Sequence, residues 1–101
     1  MRIKIEYKSQ TESINILVET DDEIFTCNGR NVLTPIFPFK EKLLDIIFNW
    51  KNELINPNIK DAESYKIFIT TEDDSFTFIG HGLYPDNFAE FKNLILEVAN
   101  G

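Results

Sequence analysis

The sequence has one cysteine, one histidine and no long apolar run, and these low counts exclude several classes of protein. A single cysteine cannot form an intramolecular disulfide, which excludes the disulfide-rich secreted mini-proteins and favours a reducing cytoplasm. A membrane-spanning helix needs about 20 consecutive apolar residues, and no such run is present. The first residues alternate charge with isoleucine, where a signal peptide would be continuously apolar. The sequence therefore predicts a cytoplasmic protein that does not act on a membrane.

Basic residues are also few, with 10 Lys and Arg against 17 Asp and Glu and a formal net charge of -7. Binding to a nucleic-acid backbone depends on Lys and Arg that neutralise phosphates, and no basic stripe is present. Direct nucleic-acid binding is therefore not expected. An acidic surface favours a basic protein partner and speeds the encounter with it. The simpler alternative is that the acidity only keeps the protein soluble.

The chain of 101 residues is long enough for one hydrophobic core. A domain of this size buries roughly 60–68% of the surface that its unfolded chain exposes, which does not support two cores. No linker, repeat or low-complexity segment interrupts the sequence. We therefore predict a single α+β domain over residues 1–101.

Apolar and polar residues alternate with a period of two in five segments, which predicts five β-strands. The first three segments, at about residues 2–7, 14–18 and 23–27, form an antiparallel meander. Asn28 and Gly29 follow the third strand, and this pair is a strong signal for a tight turn with positive φ. The last two segments, at residues 65–70 and 76–81, form a hairpin.

Apolar residues spaced three and four apart predict two amphipathic helices. The first is expected over residues 38–55, because Pro38 suits a first helical turn and Pro57 ends a helix. Its apolar stripe is Phe39, Leu43, Ile46, Ile47, Trp50 and Leu54. The second helix is expected to begin at Pro85 or Asp86, and its stripe is Phe88, Phe91, Leu94, Ile95 and Val98.

The predicted order is thus β-β-β-α-β-β-α, an antiparallel or mixed five-stranded sheet with two helices packed on one face. The other face of such a sheet stays open. Four apolar residues lie off the main buried phases and are assigned to that open face: Leu17, Phe25, Phe68 and Ile79. An apolar open face favours association with a partner or with a second copy of the chain.

His81 and Cys27 are the only residues that suggest catalysis. A histidine between two glycines is a candidate general base, and a cysteine beside it would be a candidate nucleophile, but only if the fold joined them. A lone histidine is more often a surface residue, and a lone cysteine is more often a small buried apolar residue. No glycine-rich phosphate loop, nucleophile elbow or metal-ligand spacing is present. We therefore expect no catalytic site, no metal and no cofactor.

Two turns hold the densest charge in the chain. We call Asp21, Asp22 and Glu23 the first acidic turn, and Glu72, Asp73 and Asp74 the second acidic turn. Neither has the alternating oxygen ligands and central glycine of a calcium loop. Acidic residues are ordinary turn formers, which is the alternative explanation of both clusters. If the sheet brings the two turns to one edge, they form a candidate binding site for a basic protein surface.

The C-terminal part of the chain combines an acidic hairpin tip, an aromatic strand, a glycine turn and a helix that begins with aromatic residues. These features run from Tyr65 through Phe76 and Phe78 to Tyr84 and Phe88. The pattern covers about 35 residues and resembles small acidic immunity proteins of bacterial polymorphic-toxin systems. The resemblance implies a protein that neutralises a cognate toxin by tight binding, with acidic side chains presented to a basic region. No individual residue role carries over, because the pattern contains no shared functional motif.

The leading hypothesis is a non-enzymatic inhibitor that occludes a basic toxin or nuclease. Two alternatives remain. A structural or regulatory homodimer would bury the open sheet face against its copy and would need no acidic site. A mobile-element-encoded acidic inhibitor of a nucleic-acid-binding protein would mimic nucleic acid and would need acids along one continuous surface.

Overall fold

The computed structural model describes residues 1–101 as one mixed sheet with two helices. The strands are β1 (Arg2–Lys8), β2 (Ser13–Glu19), β3 (Ile24–Cys27), β4 (Arg30–Asn31), β5 (Glu53–Ile55), β6 (Ser64–Thr70) and β7 (Ser75–His81). The helices are α1 (Ile36–Ile47) and α2 (Phe88–Asn100). The strand order is β4-β3-β2-β1-β6-β7-β5, in which only β5 and β7 are parallel. The predicted α+β class is confirmed.

One face of the sheet carries the core. Alternate residues of β1 and β6, such as Ile3, Ile5 and Ile67, are fully buried, while the residues between them point to the other face. The buried residues of both helices, Phe39, Leu43 and Ile47 of α1 and Phe88, Phe91, Leu94, Ile95 and Val98 of α2, belong to the same cluster of 20 buried residues. Both helices therefore pack on one face, as predicted, and the other face stays open.

The sheet has seven strands, so the predicted count of five is wrong. Asn28 and Gly29 both have positive φ, and this two-residue turn pairs Cys27 with Arg30. The turn itself was predicted, but the short strand β4 that it starts was not. The other additional strand, β5, lies at the opposite edge of the sheet.

Helix α1 ends at Ile47, which contradicts the predicted span of residues 38–55. Trp50 and Leu54 continue the helical spacing, yet Trp50 reaches the core from the segment after α1, and Leu54 lies partly buried in strand β5. The Trp50 backbone N–H donates to the carbonyl of Ile47, and its Nε1 donates to Oδ1 of Asn87 at 2.7 Å. A regular spacing shows which side chains are buried, but burial alone does not require that the backbone stay helical.

Three smaller predictions, on where each helix begins and on which face of the sheet Phe25 lies, are wrong as well. Helix α1 begins at Ile36, with Pro38 still in its first turn, and α2 begins at Phe88 rather than at Pro85 or Asp86. Phe25 is buried on the helix face, because its ring packs against Phe39 with the centroids 4.8 Å apart. The other residues assigned to the open face, Leu17, Phe68 and Ile79, do lie there and are partly exposed.

Candidate functional site

The two acidic turns lie at the same end of the sheet. Strand β1 pairs with both β2 and β6, and Arg2 lies between Glu19 and Thr70 in the register. The first acidic turn follows Glu19 and the second follows Thr70. Neighbouring strands are about 4.8 Å apart, so the two turns start about 10 Å from each other. The condition set by the sequence, that the sheet bring both turns to one edge, is met.

Backbone hydrogen bonds fix the first acidic turn. The N–H of Glu23 donates to the carbonyl of Thr20 at 3.4 Å, and Glu23 has a φ of 53°. Thr20 is itself held by Met1, because its N–H and its hydroxyl both donate to the Met1 carbonyl. The turn is thus fixed at its base, and all three of its acidic side chains are exposed.

The second acidic turn is closed by Thr71 and Asp74. The Thr71 N–H donates to the carbonyl of Asp74 at 2.8 Å, and the Asp74 N–H donates to Oγ1 of Thr71 at 3.0 Å. These bonds engage the backbone of Asp74 and leave its carboxylate in solvent. Glu72 and Asp73 are exposed beside it.

A shallow depression of about 260 Å³ lies between the turns, lined by Asp21, Asp22 and Glu72 together with Met1 and Arg2. Asp73 and Asp74 do not line this depression, and Glu23 lines a separate groove. We call the two turns and Glu19 together the acidic end.

The acidic end has a large excess of negative charge. It holds seven carboxylates against one guanidinium, that of Arg2, and the terminal amino group of Met1. Arg2 pairs with Glu19 at 3.3 Å, and the amino group lies 3.9 Å from Asp21. The other five carboxylates, those of Asp22, Glu23, Glu72, Asp73 and Asp74, have no ion-pair partner in the chain. They are free to pair with cationic groups of another molecule.

The fold separates Cys27 from His81. Strands β2, β1 and β6 lie between the strands that carry them, which corresponds to about 19 Å across the sheet. Cys27 is buried on the helix face, where burial raises the pKa of its thiol. Nε2 of His81 donates to the carbonyl of Ile59 at 2.8 Å on the other face. The two residues therefore do not form a catalytic pair.

A second polar cluster joins Tyr7, Glu63 and Lys92, and the sequence did not indicate it. Oε1 of Glu63 accepts a hydrogen bond from the Tyr7 hydroxyl and lies 2.6 Å from Nζ of Lys92. Burial opposes ionisation of Glu63, but the hydrogen bonds from Lys92 and Tyr7 outweigh it and lower its pKa. Burial and the adjacent Glu63 raise the pKa of Tyr7 well above its ordinary value. Because the tyrosine stays neutral and the carboxylate stays charged, this cluster holds the loop before β6 against β1 and α2.

No group of three or more His, Cys, Asp or Glu side chains is arranged to hold a metal ion. The carboxylates of the acidic end therefore do not converge on one point. None of the helices has the length and apolar character needed to cross a membrane.

Comparison of the chain with protein-family models, with curated proteins and with solved structures gives no match. The proposals below therefore depend on the residues and geometry of the chain itself.

Proposed function

We propose that this protein is a cytoplasmic, non-enzymatic inhibitor that binds a basic toxin or nuclease and occludes its working surface. One observation carries the proposal: five exposed carboxylates without ion-pair partners lie on two adjacent turns at one end of the sheet. An electrostatic patch of this kind accelerates association with a partner of opposite charge and selects against acidic partners.

The short reach of the patch favours a protein partner over mimicry of nucleic acid. A mimic needs acids spaced along a continuous surface, like the phosphates of a duplex. Here the densest exposed carboxylates lie on two turns that are about 10 Å apart, while other exposed acids, such as Glu41, Asp61 and Glu97, are scattered over other parts of the chain. Such a site matches a compact basic surface on a protein.

The experiment is an affinity capture from native lysate with the tagged protein, at low and at high salt, followed by mass spectrometry. The test variant is D22K/D73K/D74K, which reverses three exposed carboxylates of the acidic end. The matched control is E41K/D61K/E97K, which changes the net charge equally but at exposed positions elsewhere. We expect a basic toxin or nuclease to be retained at low salt by the wild type and the control, and to be lost from the test variant. Equal retention by both variants would show that the acidic end is not the binding site.

The homodimer is the second candidate, and the open sheet face favours it. Leu17 and Phe68 flank Lys4 on adjacent strands of that face and are only partly buried. Light scattering over a range of protein concentrations tests this function. A dimer that dissociates on Phe68→Lys would support it, and a monomer at all concentrations would exclude it.

A further inference from the structure

A surface groove of about 670 Å³ runs between β3 and the start of α1. Ile24 and Phe25 form one wall, and Val32, Ile36 and Phe37 form the other. The groove therefore has apolar walls, with polar residues such as Asn31 and Thr34 also in its lining. Nothing in the sequence pattern pointed to this groove.

The groove opens directly onto the acidic end. Thr20, which precedes the first acidic turn, and Glu23, which ends it, both line the groove. Asp21 and Asp22, between them in the chain, line the depression between the two turns. One turn thus borders both surfaces, so a single partner segment is able to contact both.

Two exposed apolar side chains accompany the groove: Phe37 lines it, and Leu33 lies in the chain between the lining residues Val32 and Thr34. Leu33 is 98% exposed and Phe37 is 63% exposed, which is unusual for large apolar side chains so close together. Pro35 and Pro38 flank Phe37 and restrict the backbone on either side of it. A surface that is already ordered loses little conformational entropy when a partner binds.

Charge identifies the kind of segment that fits. The apolar walls accept an apolar side chain, while Glu23 and the neighbouring Asp21 and Asp22 accept a cation. Lys40, the one cation of the lining, lies over the Phe37 ring at 5.0 Å, on the α1 side of the groove. The groove therefore favours a partner segment whose apolar side chain is flanked by Lys or Arg over one whose apolar side chain is flanked by acids.

We infer that this groove binds an apolar anchor side chain of the basic partner, and that the first acidic turn binds a Lys or Arg beside that anchor. This inference rests on the proposed function, because it assigns the apolar contact of the same interface. Buried apolar anchors slow dissociation, whereas exposed charges mainly speed association. The two surfaces therefore perform different parts of one binding event.

The test uses the ¹⁵N-labelled protein and three synthetic pentapeptides, followed by amide chemical shifts. The first peptide has phenylalanine between two pairs of lysines, the second has serine in its place, and the third has phenylalanine between two pairs of glutamines. We expect the first peptide to shift the amides of Thr34, Ile36 and Phe37. Burial of one aromatic side chain is expected to make it bind about tenfold more tightly than the serine peptide.

Two variants and one control locate the anchor. Phe37→Ser alters a lining residue of the groove and Leu33→Ser an exposed residue beside it in the chain, so the fold is expected to be retained, as the amide spectrum will show. Phe37→Ser should remove most of the preference for the first peptide over the second. Phe48→Ser is the control, since Phe48 is 82% exposed at the other end of α1 and should leave the preference unchanged.

The outcomes separate the two proposals. Equal affinity for both lysine peptides, with shifts only in the acidic turns, would overturn the groove inference and leave the proposed function intact. No shifts with either lysine peptide would overturn both. Groove amides that shift with protein concentration alone would assign the groove to a second copy of the chain and overturn the inference.

Discussion

Tyr65 packs its ring against Gly80 on the neighbouring strand, and the two residues are paired in the register of β6 and β7. A Cβ on residue 80 would overlap Cε1 and Cζ of Tyr65 and would lie 2.7 Å from its hydroxyl oxygen. The ring cannot move aside, because Trp50 and Phe91 lie 5.1 and 5.9 Å from it, centroid to centroid. Glycine at position 80 is therefore required by the packing of the core.

Gly80→Ala is expected to destabilise the protein by about 2–3 kcal/mol, because the added methyl group overpacks a filled core. Urea unfolding at neutral pH measures the change. Thr77→Ala, on the open face of the same strand, is the control and should change the free energy of unfolding by less than about 0.5 kcal/mol. A Gly80→Ala protein as stable as the control would show that the core adapts at this point.

Tyr65→Phe is expected to leave stability unchanged or to raise it by about 1 kcal/mol. The Tyr65 hydroxyl is buried and has no hydrogen-bond partner, which costs free energy that phenylalanine avoids. Burial also raises the pKa of Tyr65 to about 12. The folded state thus favours the neutral phenol, so stability is present below the ordinary tyrosine pKa and is lost as the pH rises toward 12.

The free energy of unfolding, measured as a function of pH above pH 9, tests this prediction. Between pH 9 and pH 11, wild-type stability should fall faster than that of Tyr65→Phe, in experiments spaced at about one pH unit. Tyr84→Phe, at a tyrosine whose hydroxyl donates to the carbonyl of Glu63, should instead destabilise the protein at neutral pH. Destabilisation by Tyr65→Phe at neutral pH would mean that its hydroxyl has a partner.

Glu63→Gln is expected to lower the free energy of unfolding at neutral pH by about 1 kcal/mol, since it weakens the bonds to Lys92 and Tyr7. The pKa of Glu63 is lowered in the folded state, so its stabilisation is present above the ordinary glutamate pKa. It is lost as the pH falls through the folded value.

The difference between wild type and Glu63→Gln should therefore shrink as the pH is lowered from 6 to 3. Urea unfolding across that range measures it, with Asp61→Asn as a control at an exposed acid two residues away. A difference that does not depend on pH would contradict the assigned charge state of Glu63.

Asn87→Ala is expected to cost about 2–3 kcal/mol, because it breaks two partly buried hydrogen bonds at once. Oδ1 accepts from Nε1 of Trp50, and Nδ2 donates to the carbonyl of Ile46, each at 2.7 Å. Asn87 thus connects the end of α1 to the start of α2. The fluorescence of Trp50, the only tryptophan, reports unfolding, and Asn93→Ala on the exposed side of α2 is the control.

The strands that the sequence predicted are those with a strict period of two. In β1, Ile3, Ile5 and Tyr7 are all buried, and each of their neighbours in the strand is exposed or only partly buried. The prediction that Pro57 ends the first helix was wrong, because α1 ends at Ile47 and the element before Pro57 is strand β5. Trp50 has the spacing of a helical residue, but its burial is also compatible with a chain that has left the helix. Only the tertiary contacts decide between these two conformations.

The position of the candidate site could not follow from local pattern. The two acidic turns meet because β1 pairs with β6, and the sequence does not specify a pairing between segments about 60 residues apart. The contact of Glu63 with Tyr7 spans 56 residues and depends on the same pairing. The groove required both the unpredicted strand β4 and the earlier start of α1.

The two edges of the sheet are very short, with two residues in β4 and three in β5, while the four long strands lie inside. Unpaired edge strands are the usual templates for strand addition by other chains, and short edges limit it. In a chain with many isoleucine and phenylalanine residues, short edge strands reduce the length of backbone with which a second chain could pair.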